Sequence, residues 1–144
     1  MLRVIGSIVT GTPAVAPPKD LERYQNKAGS DLDEGVAVQL SGGDDNVGEL
    51  DEADQDGSNM FGITLEEIED DAFGRVQMVA PGMIIKGEAD AEADVGDTVG
   101  LNSDRDGFDD GSNGAFLVIR VEKDEDGDYK VLSVVPIGGA LAVA

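Results

Sequence analysis

The sequence has no cysteine, no histidine and no tryptophan, and only 10 of its 144 residues are Lys or Arg. Without cysteine there is no disulfide and no thiol nucleophile, and without histidine there is no imidazole base. The nitrogen and sulfur ligands that zinc prefers are absent as well. These absences exclude thiol-dependent and histidine-dependent catalysis and the common zinc sites.

The few cations are set against 31 Asp and Glu, which gives a formal net charge of −21. Binding to nucleic acid needs clustered Lys and Arg that replace the counterions of the phosphates, so we expect no nucleic-acid partner. At low ionic strength this charge opposes compaction, whereas at 1 M salt the Debye length falls to about 3 Å. The composition is therefore typical of a salt-adapted protein, with an ordinary acidic protein as the alternative.

Aromatic residues make up only 4% of the chain, so a core of Val, Ile, Leu and Ala is expected. The length suits a single domain. The apolar stretches fall well short of the roughly 18 residues that span a bilayer, and we expect no membrane partner.

From residue 35 onwards the pattern predicts an all-β domain over residues 35–144, a small β-barrel or sandwich with acidic loops. About seven short runs rich in β-branched residues are separated by Gly and Asp. Alternating Ala and acidic residues at 88–94 predict a strand or an extended loop packed close to another backbone. The runs lie at 35–41, 60–65, 74–79, 83–86, 98–101, 114–121 and 129–135.

Residues 1–34 are predicted to form an extended N-terminal arm, because residues 10–19 contain three of the five prolines and show no alternation. The β-prone stretch at residues 2–9 has two interpretations. It either adds to the sheet edge of a neighbouring protein or forms the first strand of this chain's own sheet. Residues 20–27 are predicted to form one or two helical turns.

The motif Asp-x-Asp-Gly occurs three times, at 54–57, 104–107 and 124–127. Alternate carboxylates followed by glycine open calcium-binding loops, but none of the three completes the EF-hand pattern. The repeat that begins at Asp104 is the best cation candidate, since Asp109 and Asp110 follow it. Asp-Gly is also a strong hairpin-turn signal, and we interpret all three repeats as turns rather than metal sites.

No residue stands out as catalytic, because 31 carboxylates make any acidic pair uninformative. Lys86 is the lysine in the most apolar context, which suits a Schiff-base nucleophile. We interpret it instead as an edge-strand lysine that keeps the sheet soluble. The sequence therefore predicts neither an enzyme nor a cofactor.

The order of elements over residues 35–121 resembles that of the small head-decoration proteins of tailed viruses. The matching segments are Gly35-Val-Ala-Val-Gln-Leu, Phe61-Gly-Ile-Thr-Leu-Glu, residues 74–87 and Val95-Gly-Asp-Thr-Val-Gly-Leu. The resemblance implies a non-enzymatic virion protein on the outer surface of an icosahedral capsid, often a homotrimer, whose N-terminal arm crosses neighbouring major capsid subunits. Together with the acidic composition, it suggests a haloarchaeal virus.

For such a protein, the apolar residues near the two ends of the chain are the expected contacts with the capsid or between subunits. The alternative hypothesis is a soluble extracellular β-domain that binds calcium or a protein partner through its Asp-rich loops. The expected contact residues are Val4, Ile5, Ile8, Val9, Leu141 and Val143.

Overall fold

The computed structural model describes residues 1–7, 23–41, 48–109 and 114–137. Every helix or strand assigned in these ranges is a β-strand, so the predicted all-β class is confirmed. The described ranges hold no helix that is long and apolar enough to cross a membrane. The strands are β1 (Arg3–Ser7), β2 (Tyr24–Asn26), β3 (Ala37–Leu40), β4 (Glu49–Glu52), β5 (Gly62–Thr64), β6 (Phe73–Gly74), β7 (Val76–Met78), β8 (Met83–Glu88), β9 (Thr98–Leu101), β10 (Phe108–Asp109), β11 (Phe116–Glu122) and β12 (Val131–Pro136).

The strands form two sheets of six strands each. This is more than the seven strands predicted, because elements as short as β2, β6 and β10 are two or three residues long. Such short strands carry too few residues to show an alternating pattern, and only their pairing partners define them.

One of the sheets closes nearly into a barrel. Its strand order is β6-β2-β4-β3-β5-β7, and the two end strands are halves of one stretch, 73–78, interrupted only at Arg75. The first half pairs with β2 and the second half with β5. The carbonyl oxygen of Arg75 accepts a hydrogen bond from Leu65 N at 3.0 Å. The same stretch therefore joins both ends of the sheet.

Glu66 holds the junction between the two halves. The backbone nitrogen and Nε of Arg75 both donate to Oε2 of Glu66, at 3.1 and 3.0 Å. The hydrogen bond from the Arg75 side chain, followed by the one from its backbone, lowers the pKa of the Glu66 carboxyl. A side chain thus satisfies the backbone N–H at the point where the stretch changes pairing partner.

The interior of the barrel is small and mainly aliphatic. An ideal Cβ at Gly74 would lie 2.3 Å from Cγ1 of Ile68, so the barrel closes only where this position has no side chain. Tyr24 and Phe61 pack edge to face against the core, with ring centroids 5.2 Å apart. The buried core consists of Leu32, Val36, Val38, Leu50, Ile68 and Val76.

The other sheet has the order β1-β8-β12-β11-β9-β10 and also curls. Ala89, directly after β8, forms a parallel bridge with Phe108 of β10. Phe108 and Phe116 pack edge to face in its core, with centroids 5.7 Å apart. The same core includes Ala37, Ala53, Met60 and Ile63 from the chain segment of the barrel. The two sheets therefore share this core, and the barrel has its separate interior cluster besides.

Arg105 connects the two sheets through hydrogen bonds. It lies in the loop between β9 and β10 with φ of 58°, and its carbonyl oxygen accepts a bond from Ala37 N at 2.8 Å. Its Nε donates to the carbonyl oxygen of Ala53, also at 2.8 Å. Both alanines are fully buried, so the side chain of Arg105 satisfies a carbonyl that solvent does not reach.

The structure corrects the predictions for residues 1–34 in part. Tyr24–Asn26 is strand β2, so the helical turns predicted over residues 20–27 are wrong for these residues. β2 pairs in parallel with β4 and antiparallel with β6, and this distant pairing overrides the local helical tendency. Residues 8–22, which contain the proline-rich part of the predicted arm, lie outside the described residues.

Replacing Arg105 with Ala is expected to destabilise the protein by about 1–3 kcal/mol, because the buried carbonyl of Ala53 loses its donor. The free energy of unfolding from urea titrations measures the loss. Arg23→Ala, which removes an exposed arginine, serves as the control and is expected to change stability by less than about 0.5 kcal/mol. Equal effects of the two substitutions would contradict the connecting role of Arg105.

Replacing Glu66 with Gln tests the junction of the barrel. Since the folded-state pKa of Glu66 is lowered, its stabilisation is present above the unfolded-state pKa and is lost as the pH falls through the folded-state pKa. Glu66→Gln should therefore lower stability at neutral pH by about 1 kcal/mol and flatten the decline of stability in acid. Urea titrations between pH 7 and pH 3 measure this, with exposed Glu67→Gln as the matched control. An identical pH profile for both variants would refute the role of Glu66.

Candidate contact surface

β1 is part of this chain's own sheet. It pairs antiparallel with β8, from Arg3 opposite Lys86 to Ser7 opposite Met83. Of the two interpretations of residues 2–9, the structure shows the second for Arg3–Ser7. The prediction of an arm that contacts a partner now depends on residues that lie outside the described ranges.

The expected contact residues Val4 and Ile5 have different environments. Val4 is half-buried and packs against the core, so it fixes β1 to the sheet. Ile5 is the extra residue of a β-bulge between Val4 and Gly6, and 38% of its surface is exposed. The remaining expected contacts lie outside the described residues: Ile8, Val9, Leu141 and Val143.

The four strands β1, β8, β12 and β11 have an inner and an outer face. The paired residues Val4, Ile85, Val134 and Val118 face the core. The next set of paired residues lies on the opposite, outer face, and on β11 it follows a bulge at Ile119. On this face Arg3 and Arg120 are exposed and Lys86 is partly exposed, whereas Ser133 is buried. We call its three cations, Arg3, Lys86 and Arg120, the cation row; Ser133 of β12 lies between Lys86 and Arg120.

Glu122 holds two members of the cation row. Its Oε2 lies 2.6 Å from Nζ of Lys86, and its Oε1 lies 3.2 Å from Nη2 of Arg120. The hydrogen bond from Lys86 is the main cause that lowers the pKa of the Glu122 carboxyl, and the charges of Lys86, Arg120 and Arg3 add to it. Glu122 therefore stays ionised at neutral pH and orients both cations.

The sequence predicted that Lys86 is an edge-strand lysine, and the structure shows that it is not. β8 lies between β1 and β12, so this lysine projects from an interior strand of the sheet. Its side chain is 25% exposed and is paired with Glu122. The prediction was wrong because strand order depends on pairing with the two ends of the chain, which local sequence does not reveal.

All three Asp-x-Asp-Gly repeats form turns. In the last repeat, Oδ1 of Asp124 accepts hydrogen bonds from the backbone nitrogens of Asp126 and Asp128, at 2.9 and 3.0 Å. Gly127 has φ of 86° and donates to the carbonyl oxygen of Asp124. This carboxylate therefore stabilises the hairpin between β11 and β12 as an Asx turn.

The repeat that begins at Asp104 is also organised by internal bonds. Oδ1 of Asp106 accepts a bond from Nδ2 of Asn102 at 2.9 Å, and Asp106 N donates to Oδ1 of Asn102 at 3.2 Å. Asp109 belongs to β10, and Asp110 lies outside the described residues. Within the described ranges, no three acidic side chains come together in a group that could hold a metal ion.

Sequence reasoning missed the two arrangements that depend on arginine. In the sequence, Arg105 is only the variable residue of an Asp-x-Asp-Gly repeat, and Arg120 is one residue of a β-prone run. A charged residue inside such a run is a usable signal, since it marks the face of the strand that meets solvent. The signal does not reveal which other residues share that face.

Comparison with known proteins identifies a similar fold but no family. No family model matches the chain, and no curated protein matches it. Among solved structures, the chain is similar to the N-terminal base of the head fiber protein gp8.5 of bacteriophage phi29, with a TM-score of 0.55 and 13% sequence identity. The match covers 80% of this chain and 92% of that one, so it extends over most of both folds.

Substitution of Asp124 separates a turn from a calcium site. Asp124→Ala should cost about 1 kcal/mol because two backbone N–H groups lose their acceptor, whereas Asp124→Asn keeps Oδ1 and should be nearly neutral. Thermal unfolding with calcium and with a chelator measures both effects. A calcium-dependent rise in melting temperature that Asp124→Asn abolishes would contradict the turn interpretation.

Proposed function

We propose that this protein is a structural virion protein that binds the outside of an icosahedral capsid and stabilises it by bridging major capsid subunits. The observation that carries the proposal is the similarity in fold to the base of a phage head fiber, over 92% of that chain. The resemblance of the sequence to head-decoration proteins also supports a location on the head of a virion.

The position of β1 supports a role in contacts. It is the outermost strand of its sheet among the described residues, and outermost strands are where an extended segment of a partner can add. Ile5 presents an exposed aliphatic side chain there. A bridge of this kind stabilises a shell because it buries area on two subunits without a covalent link.

The oligomeric state and the host belong to the same proposal. We propose a homotrimer, with the other expected contacts Ile8, Val9, Leu141 and Val143 between subunits or against the capsid. The net charge of −21 suits concentrated salt, and a haloarchaeal virus is the source that this charge favours. No catalytic residue, cofactor or nucleic-acid partner is part of this function.

Ile5→Glu is expected to leave the fold intact and to weaken binding to capsid shells about tenfold or more, since a charge replaces an exposed aliphatic contact. Co-sedimentation of the protein with shells that lack it measures the binding. Met78→Glu is the control, because Met78 is an exposed strand residue, 52% accessible, in the other sheet. The control should bind as the unchanged protein does.

Circular dichroism in the binding buffer shows whether both variants are folded. Light scattering gives the mass of the free protein, which for a homotrimer is three times 14.9 kDa. Failure of the unchanged protein to bind shells would overturn the proposal. Calcium-dependent folding of a monomer would favour the alternative of a calcium-binding module.

A further inference from the structure

The cation row concentrates positive charge on one face of an acidic protein. Arg3, Lys86 and Arg120 are three of the ten cations in the sequence, and they occupy neighbouring positions on β1, β8 and β11. The rest of the chain has seven cations, while the whole chain has 31 carboxylates. Such a concentration gives this face a different preference for partners from the rest of the surface.

The cations are held in place and remain accessible. Glu122 contacts both Lys86 and Arg120, yet 70% of the Arg120 side chain is exposed. A guanidinium has five N–H donors, so Arg120 retains donors for a second carboxylate. Arg3 is exposed at the outer strand of the same row. Because Glu122 already contacts Lys86 and Arg120, the side chain of Arg3 is the one that loses most freedom when a partner binds.

Apolar side chains adjoin the row on the same outer face. Val135 of β12 pairs with Leu117 of β11, two positions from Ser133, and Ile84 occupies the next register position on β8. Leu117 and Ile84 are half-buried and Val135 is buried, so Leu117 and Ile84 are the apolar groups that a partner can reach here. On the other side of the row, Val131 lies opposite Glu88 and Glu122. Glu122 pairs with Lys86 and Arg120, so the donors left for a partner are those of Arg3 and the exposed part of Arg120.

We infer that this outer face docks on a protein surface that presents Asp or Glu side chains beside aliphatic ones. The inference deepens the proposed function and rests on it, because the partner in that function is a capsid subunit. In concentrated salt the Debye length is about 3 Å, so the cation row attracts carboxylates that contact it directly, while repulsion by more distant acidic residues is screened. Charge complementarity therefore selects this face and fixes the orientation of binding.

The test compares Arg120→Glu with Arg23→Glu in co-sedimentation with capsid shells. Both substitutions reverse the charge of an exposed arginine, but Arg23 lies next to β2 in the barrel. Arg120→Glu should weaken binding about tenfold or more, and Arg23→Glu should change it less than about twofold. Arg120→Gln, which removes the charge without adding a new one, should show an intermediate loss.

The outcomes separate this inference from the proposed function. If the unchanged protein binds shells and Arg120→Glu binds equally well, the inference is wrong and the proposed function stands. If the unchanged protein does not bind shells, the proposed function fails and a second probe decides the inference. That probe is a peptide of about ten residues that alternates Glu and Val, long enough to cross the four strands.

NMR titration with this peptide follows the Nε–Hε signals of Arg3, Arg120 and Arg23. Shifts confined to Arg3 and Arg120, and lost in Arg120→Gln, support an acidic partner other than the capsid. Shifts spread equally over the three arginines, or no shifts at all, overturn the inference. Circular dichroism of each variant in the same buffer excludes unfolding as the cause of a loss.

Discussion

The fold depends on the closure of one sheet by a single short stretch of chain. Residues 73–78 pair with β2 on one side and β5 on the other, so both edges of the sheet end on the same segment. The change of partner occurs at Arg75, whose N–H is taken up by Glu66. Gly74 allows this closure because it has no side chain, which leaves room for the side chain of Ile68. Without residues 73–78, β2 and β5 would each have an unpaired edge.

The nearly closed barrel supports the second sheet and positions its outer face. Arg105 bonds to Ala37 and Ala53, which are buried in the shared core, and Leu2 N donates to Gly35 O at the start of β1. β1 is thereby fixed beside β8, and the cation row follows from that pairing. The candidate contact surface depends on how the two sheets are joined and not on a local motif.

Five of the ten cations fall into two groups. Arg105 and Arg75 satisfy backbone carbonyls or carboxylates at junctions of the fold, where a broken bond would leave a poorly solvated group. Arg3, Lys86 and Arg120 lie together on an outer face. The acidic residues, in contrast, are largely exposed and include those that shape the turns, as Asp124 does. These five cations therefore lie at junctions of the fold and on one outer face.

The sequence by itself determined the all-β class, the aliphatic core and the Asp-Gly turns, because these depend on alternation and on residues close together in the chain. It also indicated that Ile5 belongs to a β-prone segment. Only the tertiary structure decided that residues 3–7 pair within this chain and that Lys86 is on an interior strand. It also decided that Arg120 lies in the same row as Lys86. The physical reason is sequence separation: strand order and shared faces are set by hydrogen bonds between segments from opposite ends of the chain.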